Sequence, residues 1–513
     1  MKRKTSATVG AILVAAAVAA VPAVSASVLG GKSKELRRAV GPAGIFEHLQ
    51  AFQNAASANG DTRVTSSPGF VASVDYVVSR LKAAGYAPTV QAFEYPFFEE
   101  TAPATFARTA PSARTYVLQD DFATMDYSGS GDVTATVQAV DLVLPPGPAP
   151  STSNSGCEAA DFAGFTAGSI ALMQRGTCSF AAKAANAQAA GAVAAVIFNE
   201  GQPGRVDTVL GTLGGPGVTI PTLGTSFAVG EELAGLTGAV VHITTATTSE
   251  IRIGNNVLAD IRARKAGAKT IVVGGHLDSV PEGPGINDNG SGTATILEIA
   301  EAMASQRRDV RQNVRFAFWG AEEFGLLGSQ HYVDNLTEAE LADIGLNLNF
   351  DMLGSPNFAR FVYDGDGSDT PDAGPAGSAE IEATFGEFFT AKGLATSPTA
   401  FDGRSDYRAF ILAGIPAGGL FSGAEGVKTA DDVVKFGGVL GEAYDRCYHQ
   451  ACDTLSNVNR LAVDQMSDAA THTVARFAFA KTLPGAVAPA AAGAARTSAP
   501  TITFDRKGPH FVR

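Results

Sequence analysis

From about residue 251 to residue 482, short apolar runs rich in β-branched and aromatic residues alternate with longer runs whose apolar residues recur at helical spacing. The short runs predict strands and the longer runs predict helices. This alternation constrains the fold most, because it is typical of an open α/β sheet. We therefore predict a mixed, largely parallel sheet flanked by helices. Its strands cover 270–274, 314–319, 346–350 and 416–421, and its helices cover 293–304, 324–333, 380–392 and 464–482.

Two further regions come earlier in the chain. Residues 44–59 and 70–84 have helical spacing, and residues 89–95 alternate like a strand. From about 127 to 245 the chain is rich in Ala, Gly and Val and contains a small β-α-β unit. Its elements are a strand at 169–174, a helix at 180–190 and a strand at 192–199.

The composition is that of a globular protein, with 45% hydrophobic and 17% charged residues among 513. The net charge of −13 argues against a nucleic-acid partner.

The N-terminus has the features of a secretory signal. A basic stretch at 2–4 precedes an apolar run over 9–21, and small residues offer a cleavage site after Ala26. The alternative is an uncleaved membrane anchor. The run is shorter than the roughly 20 apolar residues of a span, and Pro22 interrupts it. We therefore expect a secreted protein with no membrane attachment once the signal is removed.

Four cysteines fall into two pairs that are close in sequence. An even number in an exported chain fits two disulfides, so we predict Cys157–Cys178 and Cys447–Cys452. The alternative is a zinc site made of all four thiolates, but the chain has no C-x-x-C spacing.

Histidine and carboxylate side chains gather at the ends of the predicted strands. In an open parallel sheet this edge binds ligands, so residues distant in sequence converge on one crevice. Imidazole and carboxylate groups are the donors that suit zinc, and carboxylates can bridge two ions. The set comprises His276, Asp278, Asp288, Glu322, Glu323, Asp351 and His449.

Each member also has an interpretation without a metal. Asp278 could only orient His276. Asp288 could be the N-cap of the next helix, and Glu322 with Glu323 could be solvated charges. His48 and His331, on apparent helices, are better explained as structural residues. A metal site explains the whole set together, and we favour it.

The motifs around these residues resemble the M28 family of zinc peptidases, in particular secreted aminopeptidases of the streptomycete leucine-aminopeptidase type. The similarity covers roughly residues 40–125 and 250–480. The matching strings are GGHLDS from Gly274, NDNGSG from Asn287, WGAEEFGLLGS from Trp319, NFDM from Asn349, FDGRSDY from Phe401 and CYH from Cys447.

The resemblance implies two zinc ions. One would be bound by His276 and Asp351, the other by Glu323 and His449, with Asp288 bridging them. It also implies a cis peptide between Asp288 and Asn289.

The resemblance assigns roles to further residues. Glu322 would be the general base, Asp278 would orient His276, and Tyr448 would stabilise the oxyanion of the transition state. Arg404 would help hold substrate; the alternative for it is a salt bridge with Asp402 or Asp406. Possible calcium ligands known among relatives, Asp464 and Asp468, lack the acidic partner expected near 38–40.

The middle region resembles a protease-associated (PA) domain, through the string GSIALMQRGTCSF from Gly168 and the Ala-rich helix after it. We therefore predict five segments. They are a signal peptide at 1–26, the peptidase domain at 27–126 and 246–482, a small β-rich PA insert at 127–245, and an Ala/Pro-rich tail at 483–513.

The expected function is a secreted, monomeric dinuclear zinc aminopeptidase. Its substrates would be peptides and proteins with a free N-terminus, and the released residues large and apolar. The alternatives are an M28 relative of other specificity, such as a carboxypeptidase or a mononuclear-zinc glutaminyl cyclase, and a non-catalytic receptor-like ectodomain.

Overall fold

The computed structural model describes residues 23–485. Most of the predicted signal segment and the predicted tail from 486 onward lie outside this range. Within it, no helix is both long and apolar enough to cross a membrane.

The helices, in chain order, are α1 (Ala23–Ala39), α2 (Pro42–Ser57), α3 (Pro68–Ala83), α4 (Phe180–Ala189), α5 (Phe227–Gly235), α6 (Gly290–Ala304), α7 (Leu327–Asp334), α8 (Glu338–Asp343), α9 (Ser378–Ala391), α10 (Tyr407–Leu412), α11 (Ala430–Phe436) and α12 (Arg460–Ala478). The strands are β1 (Thr89–Ala110), β2 (Arg114–Thr115), β3 (Phe122–Thr124), β4 (Gly131–Ala139), β5 (Ile170–Gln174), β6 (Ala194–Phe198), β7 (Thr222–Thr225), β8 (Val240–Ile261), β9 (Thr270–His276), β10 (Asn313–Trp319), β11 (Ile344–Phe350), β12 (Phe361–Tyr363), β13 (Ser397–Thr399) and β14 (Ala417–Phe421).

The large sheet has the strand order β13-β12-β14-β11-β9-β10-β8. Strands β14, β11, β9 and β10 are mutually parallel, whereas β8 is antiparallel to β10 and β12 is antiparallel to β14. This confirms the predicted fold class, a mixed and largely parallel sheet flanked by helices.

The two faces of this sheet are covered by different helices. Along β9, Ile271 and Val273 join the core under α2, α3, α6, α9 and α12, while Val272 joins the core under α7 and α10. Strand β10 alternates in the same way, with Phe316 on the first face and Ala317 on the second. Successive side chains of a strand point to opposite faces, so continuous apolar runs are what a strand buried on both faces requires.

The PA-like region has its own layers. Strands β4, β5 and β6 pair in parallel, β7 follows β6 in parallel, and β3 closes the edge antiparallel to β7. Strand β5 places Leu172 in a core with α5 and Met173 in a core with α4.

A long antiparallel pair, β1 with β8, joins the two regions. Its register runs from Thr89 opposite Leu258 to Ala110 opposite Val240. One end of β8 pairs with β10 and the other with β4. The predicted strand 89–95 is therefore only the first part of β1. The domain boundaries at 126/127 and 245/246 stay a prediction, and β8 passes through the second without interruption.

Candidate metal centre

The ligand-type residues lie level with one another because the parallel strands are in register. Trp319 of β10 is paired with His276, the last residue of β9. Asn349 of β11 is paired with Gly274, so Asp351, two residues further on, comes level with His276.

Glu322 and Glu323 follow β10 in a tight turn, not in a helix. We predicted a helix from residue 324, but α7 begins at Leu327. Ala321 and Leu326 have left-handed backbone angles, with φ of 53° and 64°. Such angles interrupt the regular helix, and both glutamates consequently stay at the edge of the sheet.

The first donor set is His276, Asp288 and Asp351. The Nε2 atom of His276 lies 3.2 Å from Oδ1 of Asp288 and 3.3 Å from Oδ1 of Asp351. Donors about 2.0–2.2 Å from a tetrahedral zinc ion are separated by roughly 3.3–3.5 Å. The spacing therefore fits one ion.

The second donor set shares Asp288 with the first. The Nε2 atom of His449 lies 2.9 Å from Oδ2 of Asp288 and 3.3 Å from Oε2 of Glu323. Asp288 thus directs one oxygen to each histidine, as a carboxylate that bridges two ions would. The peptide between Asp288 and Asn289 is cis, as the resemblance implies.

Two carboxylates of the candidate centre each keep one oxygen that accepts no hydrogen bond from the described residues. Among the described residues, Oε1 of Glu323 and Oδ1 of Asp351 are buried without a hydrogen bond. Burial raises the pKa of Glu323 to about 7, although His449 opposes this. Burial likewise raises the pKa of Glu322 well above its ordinary value. Buried charges are costly unless they are paired or bind metal, so the donor set fits divalent cations.

Glu322 and Asp278 lie next to the first set, and the ligand atoms of Glu322, His276 and Asp351 are all within 4.8 Å of one another. The Oε2 atom of Glu322 is 3.9 Å from His276 Nε2, farther than the oxygens of Asp288 and Asp351. Oδ1 of Asp278 is 3.5 Å from Nδ1 of His276 and accepts the backbone N–H of Glu322 at 3.3 Å. Asp278 thus contacts the far side of the imidazole.

Two of the interpretations without a metal are wrong. The N-cap of α6 is Asn289, whose side chain accepts the N–H of Gly292, and not Asp288. Glu322 is only 8% exposed and is not a solvated charge.

His48 and His331 have the structural surroundings that we predicted for them. His48 is buried and hydrogen-bonds Tyr76 and Glu298. His331 stacks on Phe93.

A pocket opens directly onto the donor sets, with Tyr448 and Arg404 in its wall. Nη2 of Arg404 donates to the Tyr448 hydroxyl at 3.2 Å, and Nη1 pairs with Glu425 at 2.7 Å. The salt-bridge partner of Arg404 is therefore Glu425, neither Asp402 nor Asp406. The wall also contains apolar and aromatic side chains, Met352, Tyr363, Phe421 and Ala424, and polar ones, Thr399, Asp402 and Ser405.

Sequence reasoning missed residues that support the ligands. Ser405 donates to Oδ2 of Asp351 at 2.5 Å. Asp453 accepts the backbone N–H groups of Asn287 and Asp288, both at 2.9 Å. Ser405 lies inside one matching motif and Asp453 directly follows Cys452, which is the only signal that the sequence carries for them.

Both predicted disulfides are formed, Cys157–Cys178 and Cys447–Cys452. The four-thiolate zinc site is thereby excluded, since no cysteine is free.

The possible calcium site is already occupied by protein cations. Asp468 pairs with Arg37 at 3.0 Å and with Lys392 at 2.9 Å, and Lys34 and Arg38 line the same groove. These charges disfavour a divalent cation there.

The chain matches two family models, Peptidase family M28 over residues 256–474 and the PA domain over residues 137–233. It is 45% identical to an aminopeptidase of Pseudomonas aeruginosa over 438 residues, which are 85% of this chain and 80% of that protein. It is 42% identical to leucine aminopeptidase 2 of Trichophyton tonsurans over 440 residues, 85% of this chain and 83% of that one. Among solved structures, an aminopeptidase from Aneurinibacillus sp. strain AM-1 superposes with a TM-score of 0.61 at 25% identity, covering 88% of this chain and 97% of the other. The similarity to these relatives runs across both the candidate metal centre and the inserted region, and this chain belongs to peptidase family M28.

Proposed function

We propose that this protein is a secreted dinuclear zinc aminopeptidase that releases N-terminal amino acids, large apolar ones by preference, from peptides and proteins. The observation that carries the proposal is the position of Asp288, whose two oxygens face two separate histidines at 3.2 and 2.9 Å. The relatives named aminopeptidases support the reaction class.

Bound zinc would supply Lewis-acid chemistry, lowering the pKa of a coordinated water and polarising the scissile carbonyl. Glu322 is the group placed to move the proton. It lies at the pocket wall, its oxygen is farther from His276 than those of Asp288 and Asp351, and burial keeps its pKa high. It takes the proton of the attacking water and passes it to the leaving amine.

Tyr448 donates its hydroxyl to the oxyanion that develops on the carbonyl. Arg404 donates to the same hydroxyl oxygen at 3.2 Å and so fixes where it points. Burial, with the nearby carboxylates of Asp288 and Glu323, raises the pKa of Tyr448 well above its ordinary value, and the positive charge of Arg404 opposes that rise.

The pocket supports an exopeptidase specific for a free N-terminus. Glu322 and Asp351 line it as buried carboxylates and would hold a protonated α-amino group. The apolar side of the pocket, with Met352 and Phe421, favours an apolar first residue because burial of its side chain is favourable.

Two disulfides that use all four cysteines support an extracellular location, because such bonds persist in oxidising compartments.

The experiment is hydrolysis of a panel of aminoacyl-nitroanilides with and without a chelator. We expect Leu and other large apolar residues to be released fastest, and chelated enzyme to be inactive. N-acetyl-leucyl-nitroanilide is the matched control and should be resistant. Equal cleavage of the acetylated substrate, or full activity in chelator, would contradict the proposal.

A further inference from the structure

Arg63 lies behind the proposed metal centre and has no part in the function set out above. It sits between α2 and α3, outside the residues 256–474 that match the M28 model. It is completely buried. Burying a guanidinium costs free energy unless its N–H donors are paired, so the hydrogen-bond partners of Arg63 indicate its role.

Three donors of Arg63 reach three backbone carbonyls of one loop. Nε donates to Pro284 at 2.8 Å, Nη2 donates to Gly285 at 2.5 Å, and Nη1 donates to Leu277. This loop, residues 277–287, is the connection between His276 and Asp288. On the other side, the guanidinium carbon lies 5.3 Å from the centre of the Phe52 ring.

The backbone around Arg63 is attached to the same loop. Its N–H donates to the hydroxyl of Ser279 at 2.9 Å, and Ser279 returns its own N–H to the carbonyl of Arg63 at 3.3 Å. Thr62 donates to the carbonyl of Val280 at 3.0 Å. Residues 62–63 and the loop are therefore fixed to each other by side chain and main chain together.

The loop is tightly packed where it contacts Arg63. Gly285 has a φ of 59°, and a Cβ atom there would lie 2.5 Å from that of Ser279 and 3.2 Å from Nη2 of Arg63. Burial lowers the pKa of Arg63 to about 10, while Asp278, Asp453 and other carboxylates oppose the decrease. Arg63 is consequently a cation at neutral pH and adds charge as well as hydrogen bonds behind the acidic centre.

We infer that Arg63 is a positioning residue that holds the loop 277–287 so that His276 and Asp288 meet the metal ions in one fixed geometry. The inference rests on the proposed dinuclear zinc site. Partners that orient metal ligands contribute roughly 10–100-fold to metal affinity.

The test compares full-length Arg63→Met, Arg63→Lys and, as a matched control, Arg80→Met. Arg80 is also an arginine of the N-terminal region, but it pairs at 2.6 Å with Glu301, which belongs to neither donor set. Zinc affinity is measured by competition with a chromophoric chelator, and kcat and KM are measured at saturating zinc. Arg63→Met should weaken zinc binding about 10–100-fold and lower kcat more than it changes KM. Arg63→Lys should recover part of both, and Arg80→Met should bind zinc like the wild type.

Ser279→Ala tests the same attachment without removing a buried charge, so it remains informative if Arg63→Met does not fold. It should also bind zinc more weakly than the wild type. Wild-type zinc affinity in a folded Arg63→Met or in Ser279→Ala, or an equal loss in Arg80→Met, would overturn the inference. A wild-type protein that binds no zinc would instead contradict the proposed function.

Discussion

At the scale of residues, two adjacent glutamates face different partners. Oε2 of Glu323 lies 3.3 Å from His449, whereas Oε2 of Glu322 lies 3.9 Å from His276. The turn after β10 separates the two side chains, so one can serve as a ligand while the other remains available for proton transfer.

This separation predicts different losses in Glu322→Ala and Glu323→Ala. Glu322→Ala should retain about two zinc ions per chain, while kcat falls by about 10²–10⁴-fold because the general base is gone. Glu323→Ala should lose zinc together with activity. Metal analysis alongside kinetics distinguishes them, and loss of zinc in Glu322→Ala would mean that the two roles are exchanged.

Tyr448→Phe should reduce kcat with little change in zinc content, because it removes one donor to the oxyanion and no ligand. Tyr444→Phe is the matched control. The hydroxyl of Tyr444 donates to Asp432 at 2.8 Å and has no place in the pocket wall. Unchanged turnover in Tyr448→Phe would contradict the assigned role.

The candidate ligands could be found from sequence because most of them follow a predicted strand and sit in recognisable motifs. The residues that hold these ligands in position could not be found in this way. Arg63 and Asp453 act through backbone carbonyls and N–H groups of the 277–288 segment. Nearly every residue carries a backbone carbonyl and N–H group, so contacts to these groups cannot be recognised from the sequence. The Glu425 partner of Arg404 depends on a loop conformation that periodicity does not predict.

At the scale of elements, the loop closed by Cys447–Cys452 carries both His449 and Tyr448. Asp445, just before the loop, accepts from Asn287 at 2.6 Å, and Asp453, just after it, accepts from Asp288 at 2.9 Å. Both ends of the loop are therefore attached to the segment that bears Asp288, the proposed bridging carboxylate.

This attachment predicts that reducing Cys447–Cys452 impairs catalysis before it unfolds the protein. The two cysteines are only 5 positions apart in sequence, so the disulfide closes a very short loop. Its contribution to the stability of the folded protein therefore lies at or below the low end of about 2–4 kcal/mol. The measurement is activity and circular dichroism during reduction, in a Cys157→Ser/Cys178→Ser background that retains only this bond. Unfolding that precedes the loss of activity would refute the prediction.

Most of the helices and strands that were predicted for the peptidase region lie within a few residues of their predicted positions, because each has a strong local period. The short elements α8, α10, α11, β12 and β13 were not predicted. The pair β1 and β8 was only partly predicted. Each strand has 22 residues, and the alternation of buried residues in β1 stops over 98–103, where its register with β8 shifts. The length of β1 and β8 depends on pairing between residues roughly 130 to 170 positions apart in sequence. Such long-range pairing cannot be predicted from local periodicity.

At the scale of the whole molecule, the proposed ligands all belong to the region with the large parallel sheet, whereas the PA-like region has separate cores. Zinc bound to the folded state stabilises it, by about 2.7 kcal/mol when free zinc exceeds Kd a hundredfold. Chelation should therefore lower the Tm of a transition in the peptidase region. Calorimetry checks this, and Asp288→Asn should melt at one temperature with or without chelator. A chelator-insensitive wild-type Tm would contradict the expectation.

The central claim is that two metal ions share one bridging carboxylate. The most direct measurement is titration of metal-free enzyme with zinc, following hydrolysis of leucyl-nitroanilide and bound zinc in parallel. We expect no activity without zinc and a plateau of both signals at two equivalents per chain. A plateau of both at one equivalent, or hydrolysis by the metal-free protein, would contradict the dinuclear centre.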